Sequence, residues 1–177
     1  MGIFEGLMIK KVPKTPGDFE QVEFVMRSRC QDKERINLFN LFEIEDGKIY
    51  ATDGHRVHFA ELSGEYLGGV YRFLAKKSGQ FVFEKCEEKF PDCKQVLPNI
   101  EGCSGDYEID FGAHEASGIC QIIRNMSNDF GINYDFLKDL REYFVVYLPK
   151  DPQSGIFFSN PNKGAMIMPL KLTEISE

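Results

Sequence analysis

The residues with most chemistry to offer lie in one short run, Ala51-Thr52-Asp53-Gly54-His55-Arg56-Val57, followed directly by His58. A carboxylate, an imidazole and a guanidinium within four positions could do acid–base work, and two histidines could share a metal. The spacing argues against both. His55 and His58 stand at i and i+3, which in a strand points them to opposite faces. Asp53 before Gly54 has the form of a turn carboxylate that bonds its own backbone. The sequence has no serine or cysteine nucleophile motif, phosphate loop or paired-carboxylate signature. The expectation is a binding protein rather than an enzyme, with no catalytic residue, cofactor or metal site.

The elements that must position this run read as a hairpin. Leu38 to Glu45 is a strand rich in Leu, Phe and Ile, Asp46-Gly47 is a two-residue turn, and Lys48 to Leu62 returns. The return strand is interrupted at Asp53-Gly54. A glycine inside a strand pattern marks a bulge or close approach, and here it throws His55 and Arg56 outward together.

Before the hairpin, Leu7-Met8-Ile9 is a strand candidate ended by Pro13 and Pro16. Phe19, Val22, Val25 and Met26 then fall at helical spacing over about a dozen residues, with Asp18 as N-cap and Arg27 and Arg29 in the last turn. Beyond the hairpin, Val70 to Leu74 and Gln80 to Glu84 pair across a turn, and Phe90 to Pro98 is an extended crossing segment. Tyr107 to Phe111 alternates. Gly118 to Met126 is an apolar strand, Asn133 caps a helix reaching Tyr143 with Phe136, Leu137 and Leu140 on its buried side, and Phe144 to Leu148 is a strand. Ile156 to Ser159 and Ala165 to Leu172 pair across Asn160 to Gly164. Strand, helix and strands therefore appear twice. The fold class expected is α+β, a duplicated unit with two antiparallel sheets covered by two helices, in a single domain over 1–177. Its parts would be a first half over 1–62, a connecting or inserted segment over 63–117, a second half over 118–172 and a short tail.

Composition bounds the partners. The chain has 177 residues, is 42% hydrophobic and carries 16 Phe and no Trp, so its core is built from medium-sized aromatics. A formal charge of −7 excludes a protein whose whole surface grips nucleic acid. Five cysteines without a CxxC pair, and no apolar leader or run of about 20 apolar residues, point to a soluble protein of a reducing cytoplasm.

Three separated segments resemble the bacterial replicative sliding clamp family, the beta subunit of DNA polymerase III. Ala51 to Val57 resembles that family's ATDGHRL segment, Phe90-Pro91-Asp92-Cys93-Lys94-Gln95-Val96-Leu97-Pro98 its FPDYxxVxP segment, and Met166-Ile167-Met168-Pro169-Leu170-Lys171-Leu172 its VxMPMRL segment. They occur in the family's order. The resemblance implies a DNA-clamp fold with pseudo-twofold strand-helix-strand units, assembly of such domains into a ring, and a hydrophobic pocket for short linear peptides of polymerases, clamp loaders and repair proteins. Carried over, that peptide-binding set is Thr52, Gly54, His55, Arg56, Val57, Pro91, Gln95, Val96, Met166, Met168, Pro169 and Leu170. The methionines suit an adaptable apolar floor, and His55 and Arg56 suit polar groups that fix a peptide backbone.

DNA would be met by helix residues Arg27, Arg29, Lys138 and Arg141. Each helix also carries three acidic residues and sums to −1, which implies only weak, salt-sensitive contact with double-stranded DNA. Two function classes stay open. One is a clamp-like replication accessory of a phage or mobile element that captures clamp-binding peptides and assembles as a homo-oligomer. The other is a structural, assembling protein that kept the fold and lost peptide and DNA binding.

Overall fold

The computed structural model describes residues 9–12, 17–35, 37–77, 80–98, 100–112, 130–151 and 153–171. The chain divides into two compact units, Met1–Asp92 and Cys93–Glu177. In the first, β1 (Ile9–Val12), α1 (Asp18–Met26), β2 (Leu41–Glu45), β3 (Lys48–Thr52), β4 (Arg56–Glu61), β5 (Gly69–Lys77) and β6 (Gln80–Cys86) follow one another. Their strands run in the order β1-β6-β5-β2-β3-β4 with every neighbour antiparallel. Phe42, Tyr71 and Phe83 fill the middle of this sheet, with ring centroids 5.1 to 5.6 Å apart. The Asp46-Gly47 turn takes the form its residue types demand, with positive φ at both positions (50° and 74°).

Two expectations for this unit are corrected. The return strand is not one bulged strand: β3 and β4 pair antiparallel with Thr52 opposite Val57, so Asp53 to His55 reverses the chain. The physical reason is Gly54, whose φ of +89° suits a turn, together with an Asp53 carboxylate that collects the amides after it. Asp18 also does not cap α1. Gly17 occupies that position without a side-chain bond. Asp18 is instead buried and accepts from Ser63 N and Oγ (2.7 and 2.8 Å), Gly64 N (2.9 Å) and Tyr66 Oη (3.0 Å). Burial pushes this carboxyl up, but the bonds from Ser63, Tyr66 and Gly64 outweigh it and hold it below its ordinary value. The stretch after β4 is thereby tied to the start of the helix.

The other end of α1 is tied to the β3–β4 hairpin. Ser28 Oγ lies 2.8 Å from Ala51 O and 3.0 Å from Val25 O and accepts from His58 N (3.2 Å), while His58 Nδ1 donates to Phe24 O (3.0 Å). His58 is fully buried and stacked on Phe24, so its neutral ring carries the proton on Nδ1, and Nε2 has no partner among the described residues. Burial, with the charges of Arg56 and Arg27 adding to it, pushes this imidazole down to about 3.

In the second unit, 3-10 turns at Cys93–Val96 and Ile100–Gly102 lead into β7 (Cys103–Asp110). After it come β8 (Phe130–Gly131), α2 (Tyr134–Leu137), β9 (Tyr143–Pro149), β10 (Ile156–Asn160), β11 (Lys163–Ile167) and β12 (Leu170–Lys171). Within this unit the strands are ordered β11-β10-β9-β7, with β12 and β8 as a separate pair. One face of the larger sheet buries Phe144, Val146, Leu148, Ile156, Phe158, Ala165 and Ile167. The opposite face carries Tyr147, Phe157 and Met166 side by side, since Phe157 is in register with both others.

Three boundaries move. Residues 93–96 form a 3-10 turn that buries Cys93 rather than an extended segment. Asn133 caps α2 as expected, accepting from Asp135 N (2.9 Å), but the helix has four residues and ends before Lys138. The last strand stops at Ile167 and resumes at Leu170, because Pro169 has no amide to give a ladder. The expected strand at 118–126 and the residues before 9 lie outside the described residues. The stretch 63–117 supplies β5 and β6 to the first sheet and β7 to the second.

Two stability outcomes follow. Asp18→Asn turns an acceptor of four bonds into a group that opposes some of them, and should cost about 2–3 kcal/mol in urea denaturation, against about 1 kcal/mol for Ser63→Ala. An equal effect of the two variants would show that the carboxylate does not organise the loop. For His58 the folded value lies below the ordinary 6.5, so the unfolded chain binds the proton first. Its contribution is therefore complete above pH about 6.5 and is lost as pH falls toward about 3, at up to about 1.4 kcal/mol per unit. Urea midpoints measured between about pH 7 and about pH 5 should fall more steeply for the wild type than for His58→Gln.

Candidate functional site

The candidates separate between the two units, and each group is built by its own elements. In the first unit the turn after β3 is closed by a set of local bonds. Asp53 Oδ1 accepts from His55 N (3.0 Å) and Arg56 N (3.1 Å), and Asp53 Oδ2 pairs with Arg56 Nε at 2.9 Å. Thr52 Oγ1 accepts from Gly54 N (3.0 Å) and donates to Arg56 O (2.7 Å). The Arg56 guanidinium also reaches Arg27 O with Nη2 (2.8 Å). Thr52 and Val57 are buried, whereas Gly54 and His55 are exposed. Sequence reading expected Asp53 to bond its own backbone, and it does. The ion pair with Arg56 was not anticipated.

Arg35 is the residue that reading missed. It lies in the polar connection after α1, where nothing in its spacing marks it. Its Nη1 donates to Asp53 O (2.7 Å) and its Nη2 lies 3.4 Å from His55 Nε2. Arg29, Arg35, His55 and Arg56 help line a cleft of about 320 Å³ beside this turn. It is an opening with guanidinium walls, in which Asp32 and Asp53 offset part of the charge.

In the second unit, Gln95 and Val96 lie exposed on the 3-10 turn, Met166 is buried on β11, and Met168 and Pro169 are half-buried in the gap before β12. Leu170 is 44% exposed and Val96 50%, which leaves apolar surface for a partner to cover. Pro91, the last candidate, is exposed near the end of the first unit.

The residues expected to face DNA are less available. Arg29 turns back on its own unit, 4.6 Å above the Phe73 ring, with Nε on Asn40 Oδ1 (3.2 Å) and Nη1 on Met26 O (2.7 Å). Arg27 is the C-cap of α1. Lys138 pairs with Asp135 at 2.6 Å and stands 4.7 Å over the Tyr134 ring, and Arg141 is exposed, with Nε donating to Lys138 O (3.3 Å). Among the described residues no cluster of three or more His, Cys, Asp or Glu could hold a metal ion, and no helix is long and apolar enough to cross a membrane.

Antiparallel sheets joined to short helices, in an order that recurs, make this an α+β chain with the DNA-clamp fold. The solved structures that share it are sliding clamps, the beta subunits of DNA polymerase III. The Pseudomonas aeruginosa clamp solved with griselimycin matches over 97% of this chain and 68% of its own, at 17% identity and a TM-score of 0.63. The Borrelia burgdorferi beta subunit, solved with a natural product, matches over 98% and 66%, at 12% identity and 0.60. The Thermotoga maritima beta subunit matches over 95% and 66%, at 14% identity and 0.57. The match therefore spans about two thirds of a clamp subunit. No family model matches the chain, and no curated protein matches it.

The turn can be tested directly. A side chain at Gly54 would meet an unfavourable φ of +89° and place its Cβ 2.9 Å from Arg35 Nη1. Gly54→Ala should cost about 1–2 kcal/mol of stability. Gly47→Ala, at φ +74° with no atom within 4 Å, should lose only the backbone part. Equal losses would mean that Arg35 yields its place at no cost.

Proposed function

We propose that the chain is a clamp-like DNA replication accessory protein of the cytoplasm, which captures short linear peptides with apolar and aromatic anchors. Its partners on this reading are the clamp-binding tails of polymerases, clamp loaders or repair proteins. The observation that carries it is the clamp fold, in which the three family-like segments fall among the described residues as far as position 171. Two kinds of surface support it. Met168 and Leu170 in the second unit, beside the buried Met166 and with Val96 and Gln95 near its start, offer thioether and aliphatic surface that repacks around an anchor. Thr52, Gly54, His55, Arg56 and Val57 in the first unit, with Pro91, offer a hydrogen-bonded turn that can orient a peptide backbone.

Assembly into a ring and contact with duplex DNA form a weaker part of the reading. Arg29 spends its guanidinium on its own unit, and Lys138 is paired with Asp135, so little cationic surface remains from the expected four residues. A phosphate backbone needs several such cations on one face.

Fluorescence anisotropy with a labelled clamp-binding peptide from a polymerase tail tests the proposal. Binding in the micromolar range, on the order of −8 kcal/mol, is expected for the wild type. Met168→Asp places a charge on the apolar surface and should abolish it, and Arg56→Ala should weaken it by roughly tenfold. Unchanged binding by Met168→Asp would overturn the reading.

A further inference from the structure

The cleft beside the Asp53 turn holds more positive charge than its own carboxylates answer. Arg29, Arg35 and Arg56 line it with the His55 ring, against Asp32 and Asp53. Both acids are engaged. Asp53 gives Oδ1 to the His55 and Arg56 amides and pairs through Oδ2 with Arg56 Nε. Asp32 Oδ1 accepts from Glu34 N (2.9 Å), and its Oδ2 stands 3.9 Å from Arg35 Nε, beyond hydrogen-bond distance. Those two side chains are 53% and 45% exposed, so water screens the pair.

Arg29 has neutral partners: Asn40 Oδ1, Met26 O and the face of the Phe73 ring. Burial pushes its guanidinium down, as expected for a cation drawn out of water without a carboxylate beside it. Arg35 is held with donors to spare. Its Nη1 is anchored on Asp53 O (2.7 Å), and Nη2 lies 3.4 Å from His55 Nε2. Nη2 carries two protons, and the ring can accept only one of them. The edge left over is Nε with Nη2, the side of a guanidinium that takes a carboxylate in a two-bond fork. Arg35 and His55 are both exposed, so a partner can reach this edge.

We propose that the Nε–Nη2 edge of Arg35, with the His55 ring beside it, binds the carboxylate of an acidic residue in the captured peptide. This rests on the peptide-capture reading above and deepens it: the cleft selects an Asp or Glu near the apolar anchors. In the tautomer with its proton on Nε2, the His55 ring donates to the same carboxylate. One open edge fits one anionic group. A phosphate backbone needs several cations along a face, and the chain as a whole carries −7.

The test uses the full chain and fluorescein-labelled peptides in pairs. Within a pair the members differ only by Asp or Asn, placed at one of the positions just before a Leu-Phe anchor. In at least one pair the wild type should bind the Asp peptide roughly tenfold more tightly, the size of a hydrogen bond to a charged group. Arg35→Gln should bring that ratio to about one, whatever it does to both peptides through the turn. Asp32→Asn removes a competing carboxylate and should raise the ratio by about twofold, which a merely structural Arg35 would not produce. A ratio near one in every wild-type pair, or one that survives Arg35→Gln, overturns the proposal. Competition by an oligothymidylate that is lost in Arg35→Gln overturns it in favour of a phosphate. If no peptide binds, the capture reading fails, and the cleft is then read alone by the 15N signal of Arg35 Nε. A shift on adding N-acetylaspartate but not N-acetylasparagine keeps the carboxylate site, and no shift overturns it.

Discussion

The first unit depends on how the carbonyls at the C-terminal end of α1 are satisfied. A helix leaves its last carbonyls without intrahelical donors, and buried ones must find partners elsewhere. Here Ser28 and Arg29 meet the Val25 and Met26 carbonyls, and β4 reaches the two that flank them. His58 Nδ1 serves Phe24 O and Arg56 Nη2 serves Arg27 O, while Ser28 Oγ, one turn on, bridges Ala51 and the His58 amide. These bonds settle where the helix end sits against the β3–β4 hairpin, and that hairpin carries the turn with His55 and Arg56. The same arrangement requires a neutral imidazole in the core, because a protonated His58 would carry a buried charge beside two guanidiniums. Position of the turn and sensitivity to acid therefore have one origin.

Much of this was legible in the sequence, for reasons of local chemistry. The Asp46-Gly47 turn, the Asn133 cap and the self-bonding Asp53 each depend on a side chain acting within two or three residues, and such rules read directly from sequence. Buried faces with clear alternation, such as Phe144 to Leu148, were equally plain. What failed to show were contacts between distant residues. Asp18 looks like an N-cap because it precedes a helical pattern, yet its partners lie 45 to 48 positions away. Arg35 carries no local signal at all, since it answers to the Asp53 carbonyl. The division of Lys48 to Leu62 into two strands was half visible: Gly54 marked a break, but a bulge and a reversal share that mark.

The two groups of candidate residues differ in kind. The Asp53 turn is saturated with short, directional bonds, so it holds one geometry and little of it can adapt. The Met168 side chain is only half-buried and Leu170 beyond it is exposed, and a thioether exchanges one packing for another at small cost. A partner that meets a preset polar turn loses little entropy in being oriented, while a soft apolar surface tolerates anchors of different shape.

That difference bears on charge as well. A chain at −7 repels polyanions at long range, and among the described residues most cations are committed to carboxylates or carbonyls of their own unit. Partners held by apolar anchors escape this penalty, because burial of a Leu or Phe side chain supplies about 1.5–3 kcal/mol irrespective of the field around it. Screening by salt weakens phosphate contacts but leaves apolar burial nearly untouched. Binding dominated by the methionine surface should therefore persist at salt concentrations that remove any contact with DNA, which separates the two partner classes on physical grounds.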